Sequence, residues 1–293
     1  MQSDVWAAYD LLYRKSYFKG AEGPQLQERR SQLLPLLARF VKKLALTRSE
    51  IEALPDNYAA ASGSYNLPGL FDAGSGWLEV QWHPDREHDH SADYRRAARV
   101  FIKPTGAPQD KQEFLDGLRS APNVASRLDA VALVIQNLLI DREGEVVPSR
   151  LTYDVQLRRF VKDERGALIK TEVEEYELSR RLLLSSPASG GLVGSDDKAS
   201  LYLPASGNDY GFASAQLNRR GDGPPVLVTL RSRCVACHGQ DVSMIFTFST
   251  NRPPPFPPAT QLNQSGDERA SYVARRKMER EDFRALNGQG AAR

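Results

Sequence analysis

The sequence predicts an α+β fold, with helices at the N-terminus, an antiparallel β-meander in the centre, and a C-terminal segment closed by a helix. Three patterns carry that expectation. Trp6, Tyr9, Tyr13 and Tyr17 recur at spacings of three and four, which places them on one face of a helix. Leu151, Tyr153, Val155 and Leu157 alternate with Thr152, Asp154, Gln156 and Arg158, as in a strand with an apolar buried face and a polar solvent face. Two stretches, 141–144 and 163–166, begin with Asp and end with Gly, the chemistry of a tight turn between paired strands.

Taken in order, residues 1–60 form the helical part. After the aromatic helix, Leu33, Leu34, Leu37, Phe40, Val41 and Leu44 mark a second helix over 25–46. Thr47 and Glu50 make a capping box for a short third helix that ends at Pro55. The stretch 63–76, with its glycines and Pro68, breaks the helical pattern and opens a β-rich body over 61–223. Strands are expected over 77–82 and 98–102, a short helix over 111–118, and three extended runs between 131 and 179. The Gly- and Ser-rich stretches 185–194 and 204–223 read as long loops. The last part, 224–293, holds an apolar run at 226–230, a proline-rich spacer at 252–258, and a charged helix from a capping box at 265–268 to about residue 286.

Composition narrows the functional classes. The chain has 293 residues, and 39 Lys and Arg against 37 Asp and Glu leave a formal charge of +2. That balance lacks the cationic field of a dedicated nucleic-acid binder. Mean hydropathy is −0.49, and the longest nearly uncharged apolar stretch, 130–140, is about half of what a bilayer-spanning helix needs. Asp4 and Asp10 stand where a secretory signal has a basic and then an apolar region, so no export signal is visible.

The strongest chemical signal is the pair of cysteines. Cys234 and Cys237, the two cysteines of the chain, lie three apart with His238 directly after them. Chance placement produces that arrangement in about one chain in ten thousand of this composition. Two thiols at this spacing reach the two vinyl groups of one haem, and the adjacent imidazole turns onto the iron. The run 233–239 therefore resembles the attachment site of c-type cytochromes, with Cys234 and Cys237 at the thioether positions and His238 as proximal ligand. The resemblance covers about seven residues. It implies one covalently attached haem c, one-electron transfer to an unidentified redox partner protein, and a periplasmic or otherwise exported address reached through a signal removed from a longer precursor.

Around that motif, Arg231 and Arg233 are candidate partners for the propionates, and Ile245, Phe246 and Phe248 are candidate cover for the macrocycle. Met278, 40 residues beyond His238, is the candidate sixth ligand, with a packing methionine as its plain alternative. Met244 is too close to His238 to reach the opposite face of the ring. His83, His88 and His90 form the other ligand-like group, and a solvated polar loop is its simpler reading. Rivals to a haem-carrying electron carrier are a haem enzyme or gas sensor with an open sixth position, and a protein using the two cysteines for zinc or a reversible disulfide. No phosphate-binding loop, serine-hydrolase elbow or zincin motif occurs.

Overall fold

A computed structural model describes residues 1–13, 24–80, 96–119, 125–194 and 266–288. Its centre is a six-stranded sheet in which every neighbouring pair is antiparallel and the spatial order follows the chain, β1 to β6. The strands are β1 Leu78–Val80, β2 Arg96–Pro104, β3 Leu128–Ile140, β4 Val146–Lys162, β5 Leu168–Leu178 and β6 Leu192–Gly194. Eight helices accompany them among the described residues: α1 Gln2–Tyr13, α2 Pro24–Lys43, α3 Arg48–Glu52, α4 Asn57–Tyr65, α5 Lys111–Arg119, α6 Arg180–Ser185, α7 Gly266–Met278 and α8 Glu281–Leu286. The protein is thus mixed α+β with a meander sheet.

The long hairpins follow from their turns. In the β3–β4 turn, the Asp141 amide bonds Glu145 O at 2.9 Å, the Asp141 carboxylate accepts from the Glu145 amide at 2.8 Å, and Gly144 sits at φ 85°. The β4–β5 turn repeats this with Asp163, Ala167 and Gly166 at φ 79°. A side-chain acceptor at the first position and a residue free to adopt positive φ at the fourth are what such a hairpin needs. The capping box forms as well: Glu50 N donates to Thr47 Oγ1, and Thr47 N donates to Glu50 Oε2.

Four expectations are corrected. A fourth helix, α4, follows Pro55 and runs into the start of the stretch 63–76 assigned to a loop, held by Asp56, whose side chain accepts from Ala59 N, and ended by Asn66 in the left-handed region. The stretch 185–194 carries a 3-10 turn, Pro187–Ser189, and the edge strand β6, which is too short to show a period. The C-terminal helix is two helices, because Arg280 is extended at φ −76°, ψ 147°. Finally, the polar series of β4, Thr152, Asp154, Gln156 and Arg158, is buried, whereas in the apolar series Val155 and Leu157 are buried and Leu151 and Tyr153 are only half-buried. The capping residue Ser265, the strand end at 81–82, Tyr17 and the proline-rich stretch lie outside the described residues.

Packing explains why the helical N-terminus belongs with the sheet. Trp6, Tyr9 and Val41 from α1 and α2 bury against Leu138, Ile140 and Val146 of the β3–β4 hairpin and Ala270, Val273, Phe283 and Leu286 of α7 and α8. The Gln2 carboxamide ties α1 to β3, with Nε2 donating to Ile140 O at 2.7 Å and Oε1 accepting from Ile140 N at 3.1 Å. A second cluster sets Tyr58 and Ala61 of α4 on Phe101, Ala132, Val134, Val155 and Leu157. A third sets Leu115 and Leu118 of α5 on Ile102, Val131 and Phe160.

Candidate functional site

Cys234, Cys237, His238, Arg231 and Arg233 fall between β6 and α7 in the chain, and His83, His88 and His90 between β1 and β2; all eight lie outside the described residues. Met278 is the one sequence-derived site residue that the structure places. It is half-buried at the end of α7 and packs on the cluster built by Trp6, Val273 and Phe283. What sets it there is its neighbour. Lys277 is fully buried, with Nζ 2.7 Å from Asp10 Oδ2 and 3.1 Å from Asp282 Oδ2, and 5.4 Å from the centre of the Trp6 ring. On one continuous helix, positions five apart do not face each other. The break at Arg280 lets Asp282 turn back onto Lys277, and Arg280 Nε also reaches Asp282 Oδ1 at 3.4 Å. Ion pairing thus pins α7 to α1 and α8, with Met278 held beside the pair.

The structure also assembles a polar group that the sequence did not single out as a site. Register pairs Asp154 with Glu177, Gln156 with Glu175, and Arg158 with Val173, so these side chains share one face of β4 and β5. Asp154 is 0% exposed, and Gln156, Arg158 and Glu175 are also buried. Gln156 Nε2 donates to Asp154 Oδ2 at 3.0 Å, while Asp154 Oδ1 and Gln156 Oε1 find no hydrogen-bond partner among the described residues.

Electrostatics follow from this burial. Loss of water pushes the Asp154 carboxyl well above the ordinary carboxylate range, and the charge of Glu175 pushes it further; the Gln156 hydrogen bond and Arg96 act in the opposite direction. Glu177 is raised by burial as well, with Arg96 opposing. Arg96 in turn lies over the Tyr153 ring, 3.7 Å from its centre. In the sequence this series is indistinguishable from a solvated strand face. Only its facing partners, Glu175 and Glu177, carry a hint, since like-charged residues opposite an aspartate are unfavourable unless a proton or cation intervenes.

Among the described residues, no three His, Cys, Asp or Glu side chains are placed to hold a metal ion. No helix among them is long and apolar enough to cross a membrane. Comparison with protein families, curated proteins and solved structures finds no match to this chain. The donor set at 234–238, two thiols and an imidazole within five residues, fits covalent haem better than it fits zinc. A tetrahedral zinc site needs two further ligands, and His238 is poorly placed to chelate beside its neighbour.

Proposed function

We propose that this protein is an exported haem c protein that carries single electrons. The observation behind the reading is the run Cys234, Cys237, His238. Cys234 and Cys237 would hold the haem through thioether bonds to its two vinyl groups, His238 would bind its iron, and Arg231 and Arg233 would pair with its propionates. Bound haem supplies a reversible one-electron iron couple. Its partner in this reading is a redox protein, and its compartment is the periplasm or an equivalent exported space.

The test is an intact mass after denaturation, together with an absorption spectrum, on protein matured with cytochrome c assembly factors. The expected result is the mass of one added haem that survives unfolding, lost in the Cys234→Ala/Cys237→Ala variant. A colourless protein at its polypeptide mass overturns the reading. The packing of Met278 favours a second version in which the sixth position is open, as in a haem enzyme or gas sensor. Carbon monoxide separates the two: a complete spectral shift of the reduced protein supports the open site, and its absence together with an altered spectrum in Met278→Leu supports Met278 as ligand.

A further inference from the structure

Helix α2 has two apolar faces, and among the described residues only one of them packs on the core. Leu34, Leu37, Ala38 and Val41 turn inward to the cluster built on Trp6. Leu26, Leu33, Leu36 and Phe40 are exposed, from 40% for Leu36 to 53% for Phe40. At 3.6 residues per turn, these four fall within an arc of about 80° beside the buried face and span roughly 20 Å of helix. Arg29 falls within the same arc, and Lys43 and Arg39 follow on its solvent side. The helix as a whole carries five basic residues against Glu28 as its single carboxylate.

We infer that α2 docks this protein onto the surface of an anionic lipid bilayer, with Leu33, Leu36 and Phe40 entering the interface and Arg29, Arg39 and Lys43 meeting lipid phosphates. Charge selects this occupant. A second copy would bring an equally cationic helix against the first, and the chain's overall charge of +2 shows that the excess is local to this face. Leucines and a phenylalanine flanked by Arg and Lys on a long helix are the composition of a segment that lies in the membrane plane. With its charges, the same helix is unsuited to crossing the bilayer. This inference is independent of the haem reading.

The experiment is sedimentation of the full chain with vesicles of phosphatidylcholine alone, and of phosphatidylcholine with phosphatidylglycerol, at low and high salt. The expected result is binding to the anionic vesicles only, weakened by salt. Removing two cations in Arg39→Gln/Lys43→Gln lowers affinity by up to about 25-fold. Leu33→Ser/Phe40→Ser lowers it by about tenfold or more, since both side chains are half-exposed before docking. Both pairs sit on the surface, and an unchanged circular dichroism melt shows that they fold. Failure to bind anionic vesicles, equal binding to neutral ones, or binding untouched by either variant overturns the inference. A dimer in size-exclusion chromatography that Leu33→Ser/Phe40→Ser dissolves would assign the face to a second copy instead.

Discussion

Lys277→Met removes the only cation that bridges Asp10 and Asp282 among the described residues, from a site where all three side chains are buried. Methionine fits the volume and can keep the contact with Trp6, so the loss is one of charge. Deleting one partner of a buried pair costs about 3–5 kcal/mol, because the remaining charge stays out of water. Set against the roughly 5–15 kcal/mol that holds a typical domain together, that is a large fraction. Urea unfolding followed by circular dichroism should show it, as should a fall of roughly 10 °C in melting temperature.

A second substitution gives the sharper test. Adding Asp10→Asn to Lys277→Met should recover a substantial part of the loss at pH 7, leaving Asp282 with Arg280. A cost below about 1 kcal/mol at pH 7, or no recovery in the double variant, would refute the account of Lys277 as the buried cation pinning α7.

Asn57 is fully buried and serves three backbone groups: Nδ2 donates to Thr152 O at 2.9 Å and Gly190 O at 3.0 Å, and Oδ1 accepts from Thr152 N at 2.6 Å. Asn57→Leu should cost about 3 kcal/mol or more by urea unfolding, because each of these groups loses its partner inside the protein. Gly190 has φ 69°, and a Cβ there would collide with Asn57 O and stand 2.7 Å from Ala61 N. Gly190→Ala should lose about 2–4 kcal/mol, and a neutral result would show that the α4–β6 junction is looser than its geometry. Asp154 is raised by burial, so the folded state keeps a proton the unfolded state releases, and it weakens the protein as pH climbs above the usual carboxylate range. Asp154→Asn should accordingly gain stability relative to the parent between pH 4 and pH 8 in a series of urea midpoints, and a constant difference across that range would contradict the assignment.

What the chain encodes locally was legible without coordinates. Asp141 with Gly144 and Asp163 with Gly166 announce the two hairpins, and Thr47 with Glu50 announces the start of α3, because turns and caps are satisfied by side chains a few residues away. Cys234, Cys237 and His238 are likewise a reading of spacing alone, and they lie outside the described residues. Helix α4 was hidden because its residues are small and lack an apolar period, and its evidence lay in the caps Asp56 and Asn66. Burial, by contrast, was decided by tertiary structure. Alternation in β4 shows that its two faces differ, yet only assembly shows that Asp154 and Gln156 are buried too, and that register brings Glu175 and Glu177 beside them. The charged C-terminal run reads as one solvated helix until Lys277 meets Asp10, 267 residues away in sequence, and the chain bends at Arg280 to bring in Asp282. Sequence spacing sets which groups can meet along the chain; the low dielectric of a shared interior decides which of them must.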